Sequence, residues 1–179
     1  ELQIYSSRFG EQVTVSLEKA SLAQSPLLQR WSDFAVGVAT VLSENHVLSG
    51  IQLYVSDEID GGGLSSSASF SLLISHALLW AAHKIVVEDN DRLALARVCQ
   101  RVEHDFIGVN CGIMDQASVA LGGIILLDCH DLSFESVDSV GTDHRIVVMD
   151  TRHPRTLASS KYNDRVKEIA EIHAQLSST

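Results

Sequence analysis

The stretch DGGGLSSSASFSLLISHALLWAAH, residues 60–83, constrains the fold more than any other part of the chain. Three glycines and three serines lead directly into an apolar run that predicts a long, largely buried helix over 66–83. A helix N-terminus has free backbone N–H groups and a partial positive charge, and preceding glycines let a phosphate approach closely. The stretch lacks the lysine of a P-loop and the spacing of a dinucleotide fingerprint. Residue types alone leave two interpretations open: a phosphate-holding loop, or a flexible turn capped by serines.

Composition predicts one globular domain with no nucleic acid or membrane as its main partner. The 179 residues are 45% hydrophobic and 20% charged, which is ordinary for a soluble domain, and the formal net charge is −10. A protein needs a basic surface to bind nucleic acids or anionic membranes. The three cysteines are odd in number and show no C-x-x-C spacing, so no disulfide framework is expected and a cytoplasmic location is predicted.

The order of predicted elements favours an α+β fold over a strictly alternating α/β fold. Ser25 is the expected cap of a helix that starts at Pro26, and a hydrophobic run near the C-terminus predicts a buried strand. Strands are predicted over 2–7, 12–17, 49–59, 124–129 and 145–151, and helices over 25–45, 66–83, 87–108, 111–123 and 159–176.

Two carboxylates, one before the segment GVNCGIMDQ and one inside it, are candidates for chemistry. Asp115 lies in an otherwise apolar helical segment, where a buried carboxylate is costly unless it is paired. An acid in the first turn of its own helix is an equally good interpretation. Glu103 is either functional or part of a solvated helix face, and Cys111 is interpreted as a small buried hydrophobe.

The segment DTRHPRTLASSKYNDR, residues 150–165, follows the last predicted strand. Tyr162 in it is either a packing residue or a hydrogen-bond donor. The eight histidines show no metal-ligand spacing, and a transition-metal site is not expected.

Three motifs in order, GGGLSSSAS, GVNCGIMDQ and LASSKYNDR, resemble the sugar kinases of the GHMP superfamily, which includes galactokinase, homoserine kinase and mevalonate kinase. The last two narrow the resemblance to the galactokinase family, and it runs over almost the whole chain. It implies a two-layer α+β fold related to a ribosomal protein domain, here the N-terminal GHMP kinase domain. It also implies a cytoplasmic enzyme of carbohydrate metabolism that phosphorylates galactose with ATP and Mg²⁺.

The resemblance implies a role for each matching residue. Ser67 and Glu103 would hold Mg²⁺, Asp115 would be catalytic and face the sugar hydroxyl, and Tyr162 would bind the sugar. An aspartate is a weak base at neutral pH, so Asp115 is implied either as general base or as orienting group. The residues implied to wrap the ATP phosphates are Gly61, Gly62, Gly63, Leu64, Ser65, Ser66 and Ser67.

The chain departs from the family pattern in ways that affect what it is expected to do. Family members are longer, begin with a G-R-x-N-x-I-G-E-H-x-D-Y motif that contacts the sugar, and carry a later Gly-rich motif. Residues 1–179 are therefore expected to be a partial N-terminal domain without the C-terminal domain, and inactive alone. Kinases for N-acetylgalactosamine, arabinose or galacturonate, and a non-catalytic sugar and ATP sensor, stay open as alternatives.

Overall fold

A computed structural model describes residues 1–57, 63–83, 89–138, 141, 144–149 and 162–177 of the chain. The strands are β1 (Leu2–Ser6), β2 (Glu11–Val15), β3 (Ile51–Val55), β4 (Ile124–Leu127) and β5 (Phe134–Val137). The α-helices are α1 (Lys19–Leu22), α2 (Ser32–Ser43), α3 (Ser66–His83), α4 (Asp89–Val102), α5 (Met114–Leu121) and α6 (Tyr162–Ser177). A single turn of π-helix, Glu103–Ile107, continues α4 and is called the π turn below.

The first three strands form a sheet in the order β2-β1-β3, covered by helices on one face. The strand β1 pairs antiparallel with β2 and parallel with β3. Side chains alternate across a strand, so Leu2 and Ile4 point into the core and are fully buried. On the opposite face Tyr5 and Tyr54 are exposed and stack with ring centroids 5.5 Å apart. One helical layer on one sheet gives the predicted two-layer α+β arrangement.

The helix α3 lies at the centre of the core, as its apolar sequence predicts. Its bounds, Ser66–His83, are those predicted from the serines and the apolar run. Ile74 and Leu78 are fully buried and belong to one cluster with Val38 of α2 and Val102 of α4. Among the described residues, no helix combines the length and apolar character needed to cross a membrane.

The predicted helix over 25–45 is wrong at its start, because α2 begins only at Ser32. The buried carboxylate of Asp33 accepts hydrogen bonds from the backbone N–H groups of Leu28 and Arg30, at 3.1 and 3.2 Å. These bonds hold the preceding residues in a turn, with Gln29 at φ +55°. A separate short helix, α1, precedes the turn and was not predicted.

The predicted buried strand over 145–151 is also wrong over 145–149, the part of it that the structure describes. Residues 144–149 form no strand, and Ile146 and Met149 are 76% and 83% exposed. The strand that was missed is β5, which pairs antiparallel with β4. Asp128 accepts the N–H of His130 on its carboxylate and that of Leu132 on its carbonyl, and this tight turn directs β5 back along β4.

The predicted helix over 87–108 occurs as two pieces, α4 and the π turn. Its predicted end at Gly108 is confirmed, since Gly108 adopts φ +77°, a left-handed conformation that glycine tolerates well. The helix predicted over 111–123 is shorter, Met114–Leu121, and ends at Gly122 as expected. The remaining predicted strands differ from the observed ones mainly at their ends.

Replacing Gly37 with alanine is expected to destabilise the fold. A Cβ at this position would lie 2.7 Å from Cγ1 of Val102 and 3.0 Å from the ring of Phe106. Overpacking costs about 1–3 kcal/mol, and the gain in helix propensity offsets about 1 kcal/mol of it, so a net loss of up to about 2 kcal/mol is expected. Urea unfolding measures the loss, and Gly37→Ala should cost less in a Val102→Ala background than in the wild type, because the smaller side chain makes room. Equal or higher stability of Gly37→Ala would contradict this close contact.

Candidate active site

The loop before α3 turns sharply into the helix. Gly63 and Ser65 both have left-handed backbone conformations, with φ +78° and +56°. Such a conformation costs a serine energy and is concentrated at functional sites. The Ser65 carbonyl accepts the N–H of Ser69 at 2.9 Å, while Leu64 and Ser66 are exposed at the helix start. The two further residues expected at the phosphates, Gly61 and Gly62, lie outside the described residues.

Ser67 and Glu103 are brought together by the fold although they lie 36 residues apart in sequence. The Ser67 hydroxyl donates to Oε1 of Glu103 at 2.9 Å, and Glu103 is only 3% exposed. A buried carboxylate needs such a donor or a cation. The pair therefore places a hydroxyl oxygen of α3 and a carboxylate oxygen of the π turn side by side, next to the strained loop.

The π turn sets the position of Glu103 at the end of α4. The Glu103 carbonyl accepts the N–H groups of Gly108 and Val109, the latter at 2.9 Å. A π turn holds an extra residue in one helical turn and recurs at functional sites. In this protein the extra residue changes the direction of the side chains that follow α4. The π turn ends at the loop that leads to α5.

The loop Gly108–Ile113 is held on one side by α4 and the π turn. The Cys111 carbonyl accepts hydrogen bonds from Nε2 of Gln100 at 3.1 Å and from Nε2 of His104 at 2.8 Å. Burial and the negative charge of Glu103 raise the pKa of the Cys111 thiol to about 12. Cys111 is only partly buried and lies in a polar network, so its interpretation as a simple buried hydrophobe is wrong.

Asp115 lies in the first turn of α5, directly after this loop, and is half-buried. Its neighbour Gln116 is 1% exposed and donates from Nε2 to the Cys111 sulfur at 3.6 Å. The start of α5 is thus tied to the same loop and, through Cys111, to Glu103. The position fits both earlier interpretations of Asp115, a site residue and an acid at its own helix N-terminus.

Tyr162 meets the loop from the other side. Its hydroxyl accepts the N–H of Gly112 at 3.2 Å, and the ring is 45% exposed. This contact brings Tyr162 to the loop that leads to Asp115. Sequence reasoning missed Asn163, which bonds the same loop at Gly108 and Asn110. Its signal was a polar side chain beside Tyr162 within the motif.

A comparison with protein families matches residues 33–123, slightly more than half of the chain, to "GHMP kinases N terminal domain". The chain belongs to the GHMP kinase family. The matched range runs from the start of α2 to the end of α5 and contains Ser67, Glu103 and Asp115. It confirms the predicted N-terminal GHMP kinase fold of class α+β.

Curated relatives of the chain are named galactokinase. One from Streptococcus suis is 37% identical over 98% of this chain, and one from Lactococcus lactis subsp. cremoris is 40% identical over 79% of it. One from Clostridium tetani is 32% identical over 92%. The chain spans only 46%, 36% and 42% of the length of these three proteins. These identities confirm the resemblance of the chain to the galactokinase family.

Proposed function

We propose that the protein is an ATP-dependent galactokinase that converts galactose to galactose 1-phosphate. The observation that carries the proposal is the Ser67–Glu103 hydrogen bond at the start of α3, next to a loop with two left-handed residues. The curated relatives that match most of the chain support galactose as the acceptor, because all three named above are galactokinases.

The start of α3 would hold the ATP phosphates. Backbone N–H groups of the first helical turn and the serine hydroxyls supply donors, and the helix dipole favours negative charge there. The residues proposed to wrap the phosphates are Gly61, Gly62, Gly63, Leu64, Ser65, Ser66 and Ser67.

Ser67 and Glu103 would hold Mg²⁺. This ion prefers oxygen ligands and usually takes only one or two carboxylates together with substrate phosphates and water. One hydroxyl and one carboxylate 2.9 Å apart fit that requirement. Within the described ranges no group of three or more His, Cys, Asp or Glu side chains could hold a metal, so substrate oxygens would complete the set. Bound there, Mg²⁺ would neutralise charge on the phosphates.

Asp115 and Tyr162 would bind the sugar. The anomeric oxygen attacks the γ-phosphorus, the bond to the β–γ bridging oxygen breaks, and ADP leaves with that electron pair. Asp115 orients the attacking hydroxyl and accepts its proton, or only orients it while solvent takes the proton. Phosphoryl transfer depends mainly on positioning and charge stabilisation, so either role accelerates the reaction.

We also propose that residues 1–179 form part of the N-terminal domain of a longer protein located in the cytoplasm. The chain's share of its relatives' length supports the first point. Three free cysteines, Cys99, Cys111 and Cys129, support the second.

A coupled assay of ADP release over a panel of sugars tests the proposal. It uses the longest natural protein that contains these residues, with ATP, Mg²⁺ and galactose, N-acetylgalactosamine, arabinose or galacturonate. We expect the highest kcat/KM with galactose. A preference for another sugar would replace galactose as substrate but keep the kinase. Sugar and ATP binding by calorimetry without turnover would indicate a non-catalytic sensor instead.

A further inference from the structure

The helix α6 contacts the loop Gly108–Ile113 through polar side chains. None of its described side chains is buried. In its first turn, Tyr162 and Asn163 bond the backbone of the loop Gly108–Ile113.

Asn163 makes two of these contacts with one side chain. Its Oδ1 accepts the N–H of Asn110 at 3.0 Å, and its Nδ2 donates to the carbonyl of Gly108 at 2.8 Å. A carboxamide offers one acceptor and one donor side by side, as a peptide group does, so Asn163 pairs with the loop like a neighbouring backbone. Both distances are shorter than the 3.2 Å bond of Tyr162.

The loop that Asn163 bonds is the connection between the two halves of the candidate active site. Glu103 precedes it and Asp115 follows it directly. Gln100 and His104 hold the carbonyl of Cys111 from one side, and α6 holds Gly108, Asn110 and Gly112 from the other. The loop is therefore hydrogen-bonded from both sides.

We infer that Asn163 is a positioning residue, which holds the loop so that Asp115 and Tyr162 face the same acceptor sugar. The inference rests on the proposed function for the identity of that acceptor. The two bonds that Asn163 makes with described residues are to backbone groups, and its effect on substrate passes through the loop. It ties the position of Tyr162 on α6 to that of Asp115 on α5.

The side chain at 163 can be varied to separate its two bonds. Asn163→Ala removes both. Asn163→Asp keeps the acceptor for Asn110 but places a carboxylate against the Gly108 carbonyl, where a donor is needed. Asn163→Gln keeps both groups on a longer stem. We expect the retained function to decrease in the order wild type, Asn163→Gln, Asn163→Asp, Asn163→Ala. A displacement of about 1 Å can cost about 10²-fold in rate.

Kinetics on the longest natural protein provide the first test. For Asn163→Ala, we expect kcat/KM for the sugar to fall about 10–100-fold while KM for ATP changes less than about twofold. Asp164→Asn, an exposed neighbour on α6, is the control and should leave both substrates unaffected. Equal losses for sugar and ATP, or no loss at all, would overturn the inference.

Hydrogen–deuterium exchange resolved at single amides provides a test independent of catalysis. Protection of the Asn110 amide should fall at least about 5-fold in Asn163→Ala, because its net bond is worth about 1 kcal/mol, and stay unchanged in Asp164→Asn. Unchanged protection in Asn163→Ala would overturn the inference. If the wild-type protein phosphorylates no sugar, the proposed function fails, while this measurement still decides whether Asn163 holds the loop.

Discussion

Asp115→Asn is expected to lower kcat with galactose by about 10²–10⁴-fold, the range typical of a lost proton-transfer or orienting group. The amide keeps the size of the side chain and can still contact a hydroxyl, but it carries no charge and accepts no proton. KM for ATP should stay within about twofold, because Asp115 lies at the start of α5 and not in the loop before α3. Steady-state kinetics at saturating ATP measure both constants.

The size of the loss separates the two roles proposed for Asp115. A proton acceptor should give the larger loss and a pH profile of kcat that loses its acidic limb in the variant. An orienting group should give a smaller loss and leave the profile unchanged. The exposed Asp91 of α4 offers a matched control, and Asp91→Asn should behave as wild type. Turnover of Asp115→Asn close to that of wild type would remove Asp115 from the mechanism.

The sequence predicts local features of this fold better than pairings between distant elements. The bounds of α3 follow from serines at a helix start and a long apolar run, which are both local signals. The run at 145–151 signals a preference for burial, but it does not say which strand pairs with it, and residues 144–149 are unpaired. The strand β5 was missed because its position depends on the turn at Asp128, not on its own hydrophobicity.

In the candidate site, too, the sequence predicts local features better than contacts between distant residues. Nothing in the spacing of Ser67 and Glu103 predicts that they meet, and the expectation came only from the resemblance to a family. The π turn that positions Glu103 has no simple sequence signal. Asn163 was missed because its partners are backbone groups 53 and 55 residues away, and its position beside Tyr162 in the motif was its only signal in the sequence.

Glu103→Gln is expected to lower turnover about 10²–10³-fold and to raise the Mg²⁺ concentration needed for half-maximal rate. The amide oxygen can still accept the Ser67 hydroxyl, so the hydrogen bond at 2.9 Å has a substitute while the charge is lost. Stability should change by less than about 1 kcal/mol, because a neutral buried group costs less to desolvate than a charged one. Mg²⁺ titration at fixed ATP and urea unfolding measure the two effects.

Glu103→Ala separates the charge from the packing. This variant leaves the Ser67 hydroxyl without its acceptor and opens space in a nearly closed site, so it should also lose about 1–3 kcal/mol of stability. If Glu103 binds Mg²⁺, both variants shift the Mg²⁺ requirement but only alanine destabilises the fold. An unchanged Mg²⁺ requirement in both variants would mean that Glu103 serves only to hold Ser67 and α3 in place. The start of α3 would then need a different ligand for any cation that accompanies ATP.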